Sequence, residues 1–283
     1  MAAEPGSRAQ KTPSAGPFRV VVCGEVSSGK STLLNALLRA RALPDNLGAT
    51  TRPWVVLRGP DPGAQSGLSR TDPVMQRGDA SGWHQVARPG DLRGAVGICI
   101  DTGQPHLAGI ELTELPLTTA AAITPDQRHL IRDADALIWV TIAAQAWRLS
   151  ERQILDALED GRPARAIIVM SRGDKLRSDA DLAKLQMRVT QETRGYFDEV
   201  LVLKASRVLL EEAGASDTAW QASGGRDLAG ILQLWAALSD IPDVPQPLVS
   251  QSKIHQVSTK IQQSADSFAP DEDEVSGPAS RVV

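Results

Sequence analysis

The segment Gly24-Glu25-Val26-Ser27-Ser28-Gly29-Lys30-Ser31 constrains this chain more than any other, because it has the pattern G-x-x-x-x-G-K-S. A β-branched apolar run, residues 18–23, precedes it, and a run rich in helix formers, residues 32–39, follows it. A strand, a glycine loop and a helix in this order are the context that a phosphate-binding loop requires. A glycine-rich turn without a ligand is the alternative, and the flanking elements argue against it.

The chemistry expected of such a loop follows from its backbone. Glycines let the chain curl so that successive N–H groups point at one anion, and the helix N-terminus adds its positive dipole. Lys30 is then expected to reach the β- and γ-phosphates, and the Ser31 hydroxyl to bind Mg²⁺. The predicted nucleotide-contacting residues of this segment are Gly24, Glu25, Val26, Ser27, Ser28, Gly29, Lys30, Ser31 and Thr32.

Composition places the chain among globular proteins. Of its 283 residues, 42% are hydrophobic and 23% charged, enough apolar content for a substantial core. The net charge of −4 argues against a surface that coats nucleic acid, so we expect no nucleic-acid partner. The first residues lack a signal-peptide core and no stretch is apolar enough to span a bilayer, which predicts a cytoplasmic location. Two cysteines, Cys23 and Cys99, are too few for a disulfide framework, and we expect Cys23 to be a reduced core thiol.

Predicted strands and helices alternate along the chain. Strands are expected at 18–24, 54–58, 83–86, 106–112, 136–143, 164–170 and 199–203, and helices at 30–41, 125–132, 150–159, 179–196 and 227–238. Ser150, followed by Gln153, has a capping-box pattern. Residues 59–82 read as a surface excursion and residues 91–100 as weakly helical. The order predicts an α/β P-loop NTPase fold, with a mostly parallel central sheet covered by helices on both faces.

Changes in composition and in hydrophobic periodicity divide the chain into five predicted parts. They are a disordered lead at 1–17, a globular domain at 18–240, a Pro-rich linker at 241–247, an amphipathic helix at 248–269 and a disordered acidic tail at 270–283. In the fourth part, apolar residues from Ile254 to Phe268 recur at spacings of three and four, which is one face of a helix. We expect that helix to pack on the domain or on a partner helix.

Two threonines, Thr50 and Thr51, lie in an aperiodic loop before the strand at 54–58. In nucleotide hydrolases a loop at this place supplies a threonine whose hydroxyl binds Mg²⁺ and whose carbonyl holds the attacking water. Either residue could take that role. A threonine pair that braces the start of a strand is the alternative.

The base of the nucleotide is expected to meet the segment Ser171-Arg172-Gly173-Asp174, which follows the apolar strand at 164–170. A carboxylate there can accept from guanine N1–H and N2–H together, and adenine has no such donor pair. Arg172 occupies the position usual for a lysine over the base, and its guanidinium can stack on a base plane. A solvent-facing turn is the alternative. After the strand at 199–203, Ala205 and Ser206 could present a backbone N–H to guanine O6.

These motifs, taken together, resemble the dynamin superfamily of large GTPases, particularly bacterial dynamin-like proteins. The resemblance covers residues 18–240 and depends on Gly24–Leu38, Leu43-Pro44, Ala49-Thr50-Thr51-Arg52-Pro53, Asp135–Val140 and Ser171–Asp174. It implies binding of GTP and GDP with Mg²⁺, and slow GTP hydrolysis. In that family the position of Ser27 is associated with charge compensation by a monovalent cation. Two GTPase domains pair head to head across the nucleotide, which implies a homodimer through the nucleotide face.

The chain departs from the family at Glu114-Leu115-Pro116-Leu117, where the family has D-x-P-G. Glu114 keeps a carboxylate for the Mg²⁺ site, one methylene longer, whereas Leu117 loses the freedom of glycine to flip towards the γ-phosphate. The chain also lacks the long stalk helices of membrane-remodelling members. The resemblance therefore implies a separate stalk-like or membrane-associated partner and a peripheral place at the membrane.

Three functions remain open from the sequence. The first is a Mg²⁺-dependent GTP-binding protein with slow hydrolysis, acting as a nucleotide-switched assembly or interaction module. The second is a pseudo-GTPase that binds nucleotide without significant hydrolysis, suggested by Glu114 and Leu117. The third, an ATP-using P-loop enzyme such as a kinase, is weaker because no lid with paired arginines is evident.

Overall fold

The structure, a computed structural model, describes residues 16–44, 53–62, 73–79, 82–158 and 161–239. The chain divides into two units, Met1–Val244 and Pro245–Val283, and every described residue belongs to the first. Several predicted features lie outside the described residues. They are Thr50 and Thr51, the Pro-rich linker, the amphipathic helix at 248–269, the acidic tail and all but the last two residues of the lead.

Nine strands and seven α-helices are formed by the described part of the chain. The strands are β1 Phe18–Gly24, β2 Trp54–Arg58, β3 Val74–Asp79, β4 Gly82–Val86, β5 Gly97–Asp101, β6 Ile110–Pro116, β7 Ala136–Ile142, β8 Arg165–Ser171 and β9 Glu199–Val202. The helices are α1 Lys30–Leu38, α2 Pro125–Asp133, α3 Leu149–Asp156, α4 Asp179–Glu192, α5 Arg207–Ala213, α6 Asp217–Ser223 and α7 Gly225–Ser239.

All nine strands join one sheet in the order β4-β3-β5-β2-β6-β1-β7-β8-β9. The pairings of β1 with β6 and β7, of β7 with β8, of β8 with β9 and of β2 with β5 are parallel. The pairings of β2 with β6, and of β3 with β4 and β5, are antiparallel. The predicted mostly parallel α/β sheet is confirmed. Because β6, β1, β7, β8 and β9 run parallel, their carboxyl ends meet at one edge, where ligands of such sheets bind.

Helices cover both faces of the parallel half of the sheet. Alternate residues of β1 point to opposite sides, so that Val20 and Val22 join one buried cluster and Val21 and Cys23 join the other. Residues from α1, α5, α6 and α7 complete the first cluster, and residues from α2, α3 and α4 complete the second. Strand β7 is buried along almost its whole length, as its continuous apolar sequence predicts.

The antiparallel half of the sheet was predicted only in part: the strands expected at 54–58 and 83–86 are present as β2 and β4, but β3 and β5 were missed. Residues 59–82 contain β3, which pairs with β5, and residues 91–100 contain β5 instead of a helix. Periodicity alone does not separate a short buried apolar run such as Ile98-Cys99-Ile100 from a helix segment. The sixth strand also begins later than the predicted 106, because a 3-10 turn over Pro105–Leu107 and a left-handed Gly109 precede it.

The observed boundaries of α1 and α3 differ from the predicted ones. Helix α1 ends at Leu38 instead of 41, because Arg39 adopts a left-handed conformation (φ 55°) and its N–H donates to Ala36 O. Helix α3 is preceded by Arg148 at the cap position instead of Ser150, and Glu151 accepts the Arg148 N–H. Two short helices, α5 and α6, were missed; the hydroxyls of Ser206 and Ser216 accept from backbone N–H groups in their first turns.

The carboxyl end of α1 is fastened by side chains from elsewhere in the chain. His106 Nε2 lies 2.7 Å from Leu37 O, Gln104 Nε2 donates to Leu38 O at 3.2 Å, and Trp220 Nε1 donates to Ala36 O at 3.0 Å. These contacts satisfy the carbonyls that the last turn of a helix leaves without partners. They therefore fix the helix whose other end begins at the phosphate loop.

Among the described residues, none of the helices combines the length and the apolar composition needed to cross a lipid bilayer.

Candidate functional site

The predicted phosphate loop lies between the carboxyl end of β1 and the start of α1. Gly24 and Gly29 have φ values of 143° and 105°, which L side chains rarely adopt. A Cβ on Gly24 would lie 2.3 Å from Val140 O, and one on Gly29 would lie 2.8 Å from Ser171 Cβ. The loop therefore requires glycine at both positions, for conformation and for space.

Lys30 crosses over this loop instead of pointing to solvent. Its Nζ donates to Gly24 O at 3.0 Å and to Glu25 O at 2.7 Å, and the residue is buried. The ammonium group thus lies on the inside of the curled loop, where a bound phosphate would replace a carbonyl as its partner. Ser27 (φ 60°) also has a left-handed conformation, one of four non-glycine residues with positive φ among those described.

Ser31 and Glu114, the two described residues predicted to form the metal site, are in contact. Ser31 Oγ donates to Glu114 Oε2 at 3.0 Å, and Glu114 is buried on β6. A hydroxyl and a carboxylate are oxygen donors of the kind that Mg²⁺ prefers. No cluster of three or more histidine, cysteine or acidic side chains in the described ranges could hold a metal by itself. This donor pair fits Mg²⁺ that is also held by phosphate oxygens.

Leu117 lies at the position where the dynamin-like sequences have glycine, and both its backbone N–H and its side chain have contacts within the fold. Its N–H donates to Gly24 O at 3.3 Å, and its side chain is buried in the second cluster with Leu115. The N–H that a γ-phosphate would need is therefore directed at the phosphate loop itself.

The predicted base-binding segment is joined to the phosphate loop by two hydrogen bonds. Ser171 Oγ donates to Ser28 O, and Arg172 Nη2 donates to Ser27 O at 2.9 Å. Ser171 was predicted only as the first residue of the S-R-G-D segment and not as a residue that binds the phosphate loop. Its contact shows that the two loops, more than 140 residues apart in sequence, form one surface.

Asp174 and the segment after β9 lie beside this contact. Asp174 is in a 3-10 turn over Gly173–Lys175, and Lys175 Nζ is 3.3 Å from its carboxylate. The N–H of Gly173 donates to Leu203 O at 3.0 Å, which fastens the turn to the strand end that precedes Ala205. Ser206 uses its hydroxyl to cap α5, so a role towards guanine falls to the backbone of this segment.

Glu25 has partners that the sequence did not predict. Arg148 Nη2 forms an ion pair with Glu25 Oε2, and Ser150 Oγ donates to Glu25 Oε1 at 2.7 Å. Both residues lie at the start of α3: Arg148 directly precedes the helix and Ser150 is its second residue. No motif marks them as partners of Glu25, because that contact depends on where the start of α3 lies relative to the loop.

One buried polar atom of the loop forms no hydrogen bond with any residue that the structure describes. Ser28 is 2% exposed, and its Oγ has no hydrogen-bond partner in the described part of the chain. Buried hydroxyls are normally satisfied. Together with the curled backbone and the buried Lys30, this atom fits a loop whose remaining partners belong to a ligand.

Known proteins resemble this chain in part of its sequence and in its fold. Residues 20–87 match the model of the dynamin family. Two solved chains of an oligomerised bacterial dynamin pair, described as providing a mechanism for long-range sensing and tethering of membranes, superpose with TM-scores of 0.55 and 0.53. Their sequence identities are 16% and 17%. No curated protein matches this chain in sequence.

The superpositions cover most of this chain but only part of each dynamin chain. Each superposition covers 79% of this chain, but only 36% and 35% of the respective dynamin chain. This chain thus spans about a third of the length of those proteins. The predicted resemblance to a dynamin-superfamily GTPase domain is confirmed at this level.

Proposed function

We propose that this dynamin-like domain binds GTP and GDP together with Mg²⁺ and hydrolyses GTP slowly. The observation that carries this proposal is the pair of hydrogen bonds from Ser171 and Arg172 to carbonyls of the phosphate loop. These hydrogen bonds hold the segment that ends in Asp174 against the phosphate loop. A nucleotide site requires this arrangement, with base selection and phosphate binding on one surface.

The residues of the candidate site have the following proposed roles. Lys30 and the loop N–H groups would bind the β- and γ-phosphates, and Ser31 and Glu114 would hold Mg²⁺, which supplies charge neutralisation when bound. We propose that Thr50 or Thr51, outside the described residues, completes that set and positions the water. Ser27 would contribute to a monovalent cation site. Asp174 would select guanine, with Arg172 beside the base.

The first experiment compares the binding of GTP, GDP and ATP to the pure protein with Mg²⁺, by calorimetric titration. We expect GTP and GDP to bind and ATP to bind at least tenfold more weakly. Lys30→Ala should abolish GTP binding, because it removes the only ammonium group of the phosphate motif. Equal affinity for GTP and ATP would contradict guanine selection, and no binding of either would contradict the nucleotide site.

A second experiment isolates the base-selecting carboxylate. Asp174→Asn replaces an acceptor by a donor and should lower the affinity for GTP while raising that for xanthosine triphosphate, whose O2 accepts. Asp126→Asn, the same exchange on the exposed first turn of α2, is the matched control and should change neither affinity. Loss of GTP affinity with no gain for the xanthine nucleotide would contradict a direct contact between Asp174 and the base.

The alternative function, nucleotide binding without significant hydrolysis, is favoured by Leu117. Its N–H already donates to Gly24 O, and a leucine cannot adopt the glycine conformations that would release it cheaply. A single-turnover assay separates the two functions. Phosphate release that is faster than from GTP in buffer, and that is lost in Lys30→Ala, supports hydrolysis. Tight GTP binding with phosphate release no faster than in buffer alone supports the alternative.

Assembly is proposed to take place through the nucleotide face. Val26 in the loop is 40% exposed, and Leu149, which lies in sequence between the two partners of Glu25, is 69% exposed; both are apolar surface available to a second copy. A separate stalk-like or membrane-associated partner, and a peripheral place at a membrane, are proposed from the described role of the similar dynamin pair. Measuring the mass in solution with GDP, GTP and a transition-state mimic tests the homodimer, and a monomer in every state would contradict it.

A further inference from the structure

The carboxylate of Glu25 lies on the loop that is proposed to bind a polyphosphate. The backbone carbonyl of the same residue accepts from Lys30 Nζ at 2.7 Å, so Glu25 is part of the phosphate cradle. A negative charge in this position repels a negative ligand. The protein therefore needs a way to keep that charge from weakening its own anion site.

Arg148 and Ser150 supply that compensation from a single segment. The guanidinium of Arg148 pairs with Glu25 Oε2, and the Ser150 hydroxyl donates to Glu25 Oε1 at 2.7 Å. Both carboxylate oxygens are thus held, one by a cation and one by a neutral donor. The Glu25 side chain is 17% exposed, so its charge is screened less by solvent than that of an ordinary surface carboxylate.

The segment that carries these two residues is anchored in the core. Glu151 is fully buried, and it accepts from Arg148 N at 2.8 Å and from Trp139 Nε1 at 3.2 Å. Trp139 lies on β7 opposite Cys23 of β1, the residue before the phosphate loop begins. Trp147 adopts a left-handed φ of 64° with a buried side chain, and the chain then turns Arg148 towards Glu25. This support fixes the start of α3 against the loop.

We propose that Arg148 is a positioning residue, which neutralises Glu25 and thereby sets the affinity of the phosphate loop for the polyphosphate of its nucleotide. This inference rests on the proposed nucleotide binding. Arg148 acts through Glu25 and does not itself contact the phosphates, so its importance depends on the charge at position 25. Ser150 holds the second oxygen and keeps the carboxylate in reach of the guanidinium.

The test measures dissociation constants for GMP, GDP and GTP in a double-mutant cycle at low and high salt. Arg148→Ala should weaken GTP binding about tenfold at low salt, and GDP and GMP progressively less, because repulsion grows with the charge of the ligand. The loss should shrink at 0.5 M salt. In the Glu25→Gln background, Arg148→Ala should change GTP affinity by less than about twofold.

Arg152→Ala is the charge-matched control. It removes the same charge one turn further along α3, where the guanidinium lies over the rings of Trp147 and Tyr196 and not on Glu25. Its GTP affinity should stay within about twofold of the wild type. Thermal unfolding of every variant shows whether the fold is retained.

Separate outcomes identify which statement fails. If the wild type and Lys30→Ala both bind no nucleotide, the proposed function fails, and this inference fails with it. If the wild type binds GTP but Arg148→Ala binds it equally well, only the inference fails. An equal loss from Arg148→Ala in the wild-type and Glu25→Gln backgrounds would also overturn it, because the arginine would then act on the ligand directly.

Discussion

Ser31 and Glu114 are 83 residues apart in the chain, yet Ser31 Oγ donates to Glu114 Oε2 at 3.0 Å. The contact exists because β1 and β6 are parallel neighbours, with Val22 paired to Glu114, so that the loop after β1 curls over the end of β6. The pair brings together the two described residues that the sequence predicts for the metal site.

Replacing Glu114 by glutamine should weaken the dependence of GTP binding on Mg²⁺. The amide keeps the size of the side chain but removes the charge, and residues that hydrogen-bond to a metal ligand typically contribute about 10- to 100-fold in metal affinity. The measurement is GTP affinity as a function of Mg²⁺ concentration. Glu111→Gln, on the same strand but paired with Arg58, should leave the Mg²⁺ dependence unchanged. An unaltered dependence in Glu114→Gln would contradict a role for this carboxylate.

Adding a methyl group at Gly29 should both destabilise the fold and remove nucleotide binding. The Cβ would lie 2.8 Å from Ser171 Cβ at a φ of 105°, so we expect a loss of about 2 kcal/mol in the free energy of unfolding. Gly230→Ala, at a helical position with open space, should instead gain about 0.5–1 kcal/mol. Denaturant titration measures both changes, and equal effects of the two substitutions would argue against this geometry of the loop.

Truncating Glu151 should lower the free energy of unfolding strongly, because this residue is fully buried. Glu151→Ala leaves the indole N–H of Trp139 and the Arg148 N–H without their acceptor, and we expect about 2–4 kcal/mol less stability. The exposed neighbour Gln153→Ala should stay within about 0.5 kcal/mol of the wild type. Chemical denaturation provides the measurement, and a near-neutral Glu151→Ala would show that this buried network contributes little.

His106 should make stability depend on pH below neutrality. Burial lowers the pKa of His106 below 6.5, so the unfolded chain takes up the proton more readily than the folded one. Its contribution is therefore complete above pH 6.5 and is lost as the pH falls through the folded pKa. His106→Gln keeps a donor for Leu37 O but cannot titrate, and the free energy of unfolding of this variant should fall less between pH 7.5 and 5.5. Parallel pH profiles would contradict this assignment.

Neither cysteine should react while the protein is folded. Burial raises the pKa of the Cys23 thiol to about 12 and that of Cys99 to about 11, so almost no thiolate exists at pH 8. Both thiols are free and buried, as expected for Cys23 from the sequence. A thiol reagent should label two residues only after denaturation. Rapid labelling of the folded protein would contradict the burial of Cys23 under the phosphate loop.

Local patterns were sufficient to predict most of the parallel half of the fold. Strands β1, β2, β7 and β8 were predicted within a residue or two, because a long apolar β-branched run bounded by polar residues has few other structures available. In the antiparallel half, β4 was also predicted, but β3 and β5 were missed, since both are short and contain glycine. Their strand structure depends on pairing with each other, and that pairing is not encoded in either segment alone.

The sequence by itself determined that residues 24–31 form a curled turn between a strand and a helix, because the glycines at positions 24 and 29 permit the backbone geometry of a predicted phosphate loop. It also determined which segments are apolar enough to be central strands. Only the tertiary structure decided what surrounds the loop. Ser171 ends β8, Glu114 lies near the end of β6, and Arg148 and Ser150 lie at the start of α3, the helix after β7. The parallel register of the sheet brings them to one edge. No local pattern carries that information, since it arises from the order in which the strands pack.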